Sequence, residues 1–367
     1  MKNLSKTIIS IILACFMLLT ACNPKGADKN ISSPDSPVPS GKTLNLYTCA
    51  GLFPQDIFDG FEADTGIKIN QTSFKTNEDM LADLSEPGNN YDLIIADDYI
   101  IETCIKKKLV SKLDIKSIEN YKNINKIFKK QFYDKSDKYT VPLGAGVQTI
   151  VYNPDLTGFN IKGYADLWNE SLRNRIGVTA NYRVINGMAL KVLGKSYNTR
   201  KEADINAAGE KLKELAPNIY IIQDNNLHDY LLSGKLAAAV MYTSQATISL
   251  MIDDRLKAVY PEEGIGFGVM AGFIPKQSQN PDASHAFLNY LLEASHAARY
   301  FEYTGYYSTN SAADDVIQKI YKPFLTLPQS FDTKSEMIKN ISDDADKQHL
   351  FIWESFKEAV RQSGGNG

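Results

Sequence analysis

The sequence predicts an α/β fold, with mixed, mostly parallel sheets flanked by helices. Three observations lead there. Between residue 44 and about residue 108, short branched runs alternate with amphipathic stretches in the order β-α-β-α-β-α, a rhythm that implies crossover connections and a parallel sheet. The run Leu93–Ala96 is apolar throughout, as a strand buried on both faces would be. At 367 residues the chain can hold two ordinary domains.

The chain opens with Lys2 and Lys6, followed by the apolar stretch Ile8–Thr20. That is the length of a signal-peptide core and short for a membrane span. It ends in Leu19-Thr20-Ala21-Cys22, which resembles the lipobox of bacterial lipoproteins, where cleavage precedes a cysteine that then carries lipid. Residues 1–22 are therefore expected to be a lipoprotein signal peptide, lipidated on Cys22. Residues 23–43 are rich in Ser, Pro, Asn, Lys and Asp and read as a flexible tether. A soluble body held outside the cell, in a periplasm or at the surface, is the expectation.

Leu44–Cys49 reads as the first strand and Pro54–Ala63 as the first helix, with Ile57, Phe58 and Phe61 inward and Gly66 as the stop. Ile67–Thr72 alternates as a strand. Thr76 opens a helix over Asn77–Leu84. After the turn Pro87-Gly88-Asn89-Asn90 comes the Tyr91–Ala96 strand, which stops at Asp97, Asp98 and Tyr99, and then a helix from Ile100 to about Lys108. In open α/β sheets ligands sit at the carboxyl ends of strands. Asp97, Asp98 and Tyr99 are thus candidate ligand residues, although either acid also suits a helix cap.

Thr140–Gly146 breaks the rhythm, and Gln148–Tyr152 reads as a strand crossing into a second domain. Helices are expected over Tyr164–Trp168, Asn181–Leu193 and Ala203–Leu215, the last with Ala207, Leu212 and Leu215 on one side. Leu236–Tyr242 reads as a buried strand. Glu262–Gly268 reads as a glycine-rich turn, and Phe273-Ile274-Pro275 with the helix Pro281–Glu293 as the return to the first domain. The last helix is expected over Lys347–Val360, carrying Phe351, Ile352, Phe356 and Val360.

A formal net charge of −3 gives no reason to expect nucleic acid as a partner. Gly194-Lys195-Ser196 lacks the earlier glycine and the preceding strand of a phosphate loop. No nucleophile elbow occurs, and the four histidines show no metal spacing. No cofactor, metal or enzymatic activity is expected. Outside the leader only Cys49 and Cys104 remain, compatible with two free thiols or with one bridge.

Collinear motifs then narrow the class. Phe61–Lys68, Tyr91-Asp92-Leu93, Tyr164-Ala165-Asp166-Leu167-Trp168, Met188-Ala189-Leu190, Pro261-Glu262-Glu263-Gly264, Ile274-Pro275, Phe287–Leu292 and Gly305-Tyr306 occur in the order of the spermidine/putrescine-binding family. The chain after the tether resembles that family of extracytoplasmic solute-binding proteins of ABC importers. The resemblance implies a two-lobed clamshell of the type II periplasmic-binding-protein kind. Residues 44–145 plus 270–312 would form lobe 1, and residues 146–269 plus 313–361 lobe 2.

It also implies a polyamine held between aromatic rings, its ammonium groups met by carboxylates. Tyr99, Tyr242 and Tyr306 fall at the family's aromatic positions. Cys49 and Leu52 stand where the family has Trp and Tyr. Asn181 and Val184 stand where it has an acid pair, and Gly268 and Met270 where it has an aromatic and an acid. Asp97 and Asp98 replace small hydroxyl residues. The implied site is Asp97, Asp98, Tyr99, Tyr242, Tyr306 and Asn181, with Cys49 and Leu52 at the altered positions. With the surviving acids at one end, a shorter amine or a single cationic head is expected, delivered by a monomer to ABC permease subunits. A neutral or heteroaromatic solute, or a sensor or adhesion lipoprotein, remain the alternatives.

Overall fold

The structure is a computed structural model and describes residues 43–224, 226–320 and 334–367. The expected signal segment 1–22 and the tether up to residue 42 lie outside the described residues. Thr43, assigned to the tether, already belongs to the first strand.

Twelve strands are described: β1 Thr43–Cys49, β2 Lys68–Phe74, β3 Leu93–Asp97, β4 Val141–Gly146, β5 Gln148–Tyr152, β6 Ile176–Val178, β7 Ile219–Ile222, β8 Ala238–Tyr242, β9 Lys257–Val259, β10 Gly266–Phe273, β11 Tyr307–Ser308 and β12 Glu336–Met337. The α-helices are α1 Gln55–Thr65, α2 Asn77–Ser85, α3 Asp98–Lys106, α4 Pro154–Thr157, α5 Tyr182–Val192, α6 Glu202–Leu215, α7 Leu227–Leu232, α8 Thr243–Ile252, α9 Pro281–Leu291, α10 Ala294–Thr304, α11 Ser311–Ile320 and α12 Asp343–Gln362.

The strands form two sheets. The first runs β11-β4-β10-β3-β1-β2, with β12 beside β10, and the second runs β7-β6-β8-β5-β9. Both sheets are mixed. β1 lies parallel to β2 and β3, and β6 parallel to β7 and β8, as βαβ units require. The antiparallel pairs involve β4, β5 and β10, the strands at the points where the chain changes sheets. The chain crosses at Val147, between β4 and β5, and again over residues 260–265, between β9 and β10. A third crossing follows β12, because α12 packs on α6 beside the second sheet.

Local chemistry explains the helices. In α1, Ile57, Phe58 and Phe61 are buried, and Gly66 closes the helix in the left-handed region at φ 70°. Phe61 meets Phe287 edge-on at 4.9 Å, which fixes α1 against α9. Thr76 caps α2 by accepting from Asp79 N–H at 3.1 Å.

Several expectations shift. Gly266–Phe273 is a central strand and not a glycine-rich turn, so the return to the first sheet begins at Gly266, ahead of the expected residue 270. Its glycines are placed by contact: a Cβ on Gly266 would sit 2.5 Å from the buried Tyr197 ring. The expected second lobe takes in α11 from residue 313. In the structure α11 packs on α10 instead, through Ala297, Ala298, Phe301, Ala313 and Ile317, beside the first sheet. β12 also lies in the first sheet. Ala207 is exposed, and α6 buries Ile205, Ala208, Leu212 and Leu215 instead. Phe351 is 69% exposed, while Ile352, Phe356 and Val360 are buried. Cys49 and Cys104 are both free thiols.

Candidate ligand cleft

Strand register brings the ends of both sheets to one place. Asp97, the last residue of β3, pairs with Met270 of β10. Gly268 pairs with Gly146 at the end of β4, and Tyr242 at the end of β8 pairs with Gln148 at the start of β5. These residues line a cavity of about 890 Å³ between the sheets, a volume within the range of small-molecule sites.

Asp97, Asp98, Tyr99, Asn181, Tyr242 and Tyr306 all line this cavity. Two expected residues do not. Leu52 is 3% exposed and belongs to the core, and Cys49 is half-buried against that core. With small aliphatic and thiol side chains at these positions, neither reaches the cavity wall.

Asp97 occupies the N-cap position of α3, yet its carboxylate makes no capping bond. It accepts from Asn77 Nδ2 at 2.8 Å instead. Burial holds its carboxyl above the usual carboxylate range, opposed by the Asn77 bond and reinforced by Glu78. Asp98 behaves differently. It is 4% exposed, and its Oδ2 accepts from Val269 N–H at 2.8 Å, tying α3 to β10. Burial pushes its pKa up to about 8, so near neutral pH it is largely a neutral tie and not a second anion.

Tyr99 is held by its hydroxyl, which accepts from Asn77 Nδ2 at 3.2 Å and donates to Glu78 Oε1 at 3.1 Å. On the facing lobe, Asn181 spends its side-chain oxygen on the N–H groups of Arg183 and Val184, at 3.1 and 3.2 Å. Its Nδ2 reaches Tyr242 Oη at 3.5 Å. Burial raises the phenol of Tyr306 to about 12 and also raises that of Tyr242, so both stay protonated as donors.

Sequence reasoning missed several acids. Glu78, Asp224, Asp343 and Asp346 also line the cavity. Asp224 accepts from Thr179 Oγ1 and from Ala180 N–H. Asp346 accepts from Tyr182 Oη at 2.8 Å. The expectation that the acids cluster at one end is therefore corrected: Glu78 and Asp97 stand on the first lobe, and Asp224, Asp343 and Asp346 on the second. Asp343 and Asp346 begin α12, where acids ordinarily answer the helix dipole, and Asp224 lies in a loop, so spacing carried no signal for any of them. Arg183 and Lys339 are the cations among the described lining residues. Arg183 donates to the carbonyls of Lys339 and Tyr197, both at 3.3 Å.

Two sheet-centred lobes joined by short crossings, with a polar, tyrosine-rimmed cleft between them, define a solute-binding protein of the type II periplasmic clamshell class. The chain belongs to the bacterial extracellular solute-binding protein family, whose family model matches residues 56–323. It is 28% identical over 319 residues to spermidine/putrescine-binding periplasmic protein 1 of Haemophilus influenzae, covering 86% of this chain and 88% of that protein. It is 29% identical over 273 residues to the spermidine/putrescine-binding periplasmic protein of Salmonella typhimurium, covering 74% and 78%. The structure superposes with a TM-score of 0.77 on the spermidine/putrescine ABC transporter substrate-binding protein PotD of Streptococcus pneumoniae, at 26% identity over 87% of this chain and 100% of that one. Proteins of this class serve transport outside the cytoplasm and are not enzymes.

Proposed function

We propose that this protein is the lipid-anchored substrate-binding subunit of an ABC importer and captures a polyamine or related small cationic amine between its lobes. The observation that carries the reading is the charge of the cleft. Leaving aside the largely neutral Asp98, Glu78, Asp97, Asp224, Asp343 and Asp346 line it against Arg183 and Lys339. A cleft with that excess of carboxyl groups attracts cations and repels anions.

The ammonium end of the ligand meets Asp97 and Glu78 on the first lobe, and the opposite wall offers Asp224, Asp343 and Asp346. Hydrogen bonds to charged groups are worth about 1.5–3 kcal/mol each. Tyr99, Tyr242 and Tyr306 give their ring faces to the methylene chain and the cation, at about 0.5–2 kcal/mol per ring. Asn181 braces Tyr242. A ligand that touches both lobes favours the closed arrangement, because only closure lets both sets of contacts form. Carboxylates on both walls suit a diamine or triamine better than a single cationic head. The names of the relatives in Haemophilus influenzae and Salmonella typhimurium agree with that chemistry.

Lipid on Cys22 would keep the body at the membrane, near the permease subunits that receive the ligand. The body acts as a monomer in this reading. Calorimetric titration of the soluble body with putrescine and spermidine tests the ligand class; absence of heat and of any thermal shift with every amine removes it. Cys22→Ser should release the protein from the membrane fraction, and retention there would argue against the lipid anchor.

A further inference from the structure

Asn77 is the first residue of α2 and stands just behind the residues that line the cleft. The helix does not need its side chain, since Thr76 supplies the cap. Its Nδ2 instead donates to Asp97 Oδ2 at 2.8 Å and reaches Tyr99 Oη at 3.2 Å, and its Oδ1 faces Asp97 N–H at 3.4 Å. One amide thus touches the cleft's carboxylate and its neighbouring ring together.

We infer that Asn77 is a positioning residue for ligand capture, holding Asp97 ionised and aimed into the cleft before a cation arrives. The inference rests on the reading of the cleft as a cation site and deepens it. The groups that face Asp97 make such a device necessary. Glu78 from α2, Asp98 and Tyr99 from α3, Cys49 from β1, Tyr300 from α10 and Tyr306 from the loop before β11 surround it electrostatically. Every one of them is an acid, a phenol or a thiol. Burial and Glu78 both favour the protonated carboxyl, and Asn77 supplies the opposing side-chain bond. Without it, Asp97 would more often be neutral when the ligand comes, and Tyr99 would lose one of its two tethers.

The sign follows directly. A cation prefers ionised Asp97, so affinity rises as pH climbs through the Asp97 midpoint and falls below it. Removing Asn77 moves that midpoint up and moves the pH profile of binding with it.

The test is carboxyl carbon NMR titration of the ligand-free protein, with Asp97 assigned through Asp97→Asn. Asn77→Ala should raise the Asp97 midpoint by about one to two pH units. The near-isosteric Asn77→Leu, which removes the donor and hardly changes volume, should raise it as far. Putrescine affinity of Asn77→Ala should fall below wild type on the acid side of the variant's Asp97 midpoint and recover toward wild type above it. An unmoved midpoint in both variants overturns the inference whatever the ligand. A raised midpoint upholds Asn77's hold on Asp97, and a failure of every amine to bind would then count against the cation reading alone.

Discussion

Asp98→Asn should change how stability depends on pH. Asp98 is 4% exposed and accepts from Val269 N–H at 2.8 Å. Burial is the largest influence on it, and its carboxyl titrates near 8 in the fold against 3.8 for an ordinary aspartate. The folded state therefore holds a proton that the unfolded state releases. The stability this provides is complete below pH 4, declines as pH rises, and is gone once pH passes 8. The span between the two values corresponds to roughly 6 kcal/mol as an upper bound. The substituted amide keeps an acceptor for Val269 but cannot ionise. Urea melts followed by circular dichroism at pH 4.5, 6.5 and 8.5 measure the effect through the midpoint and slope. The variant should be equal to or below wild type at pH 4.5, by about 1–3 kcal/mol if its extra N–H finds no partner, and should gain on it steadily toward pH 8.5. Parallel curves for the two proteins across this range would refute the reasoning, because they would mean that Asp98 ionises alike in both states.

Further outcomes follow from the same geometry. Asp224→Asn should weaken spermidine by about tenfold or more while leaving a monoamine little changed, because Asp224 serves only the second-lobe wall; calorimetry with both amines separates the cases. Gly187→Ala should cost about 1–3 kcal/mol or more in urea unfolding, since a Cβ there would overlap the ring of Tyr197, which is 0% exposed. Denatured, reduced and unreduced samples of the mature body should show the same thiol content from Cys49 and Cys104, both free; a reductant-dependent rise would contradict that.

Much of the first lobe could be read from the chain because local signals agree there. Thr76, Gly66 and Pro54 punctuate it, and Ile57, Phe58 and Phe61 fall at helical spacing. β10 could not be read that way. Gly266, Gly268 and Gly272 look like turn residues, and only the crowding of Gly266 by Tyr197 and of Gly272 by Leu288 explains those two in a central strand. The cleft divides similarly. Asp97 and Tyr99 stood out because they end a buried strand, and Tyr242 because it ends another. Asn77 looked like an ordinary first-turn residue, Asp343 lay ahead of the helix expected from Lys347, and Asp224 looked like a loop acid. Their place in the site arises from tertiary packing between segments far apart in the chain. Cys49 and Leu52 show the converse: alignment with a site position does not carry a side chain to the cleft when the side chain has shortened.

The central claim is that the cleft selects positive charge from both walls. Calorimetric titration of the soluble body with putrescine, and with a dicarboxylate of matching length, tests it most directly. The account predicts saturable binding of the diamine, weakened by Asp97→Asn and by added salt, and no heat from the diacid. Tight binding of the diacid with none of the diamine would contradict it.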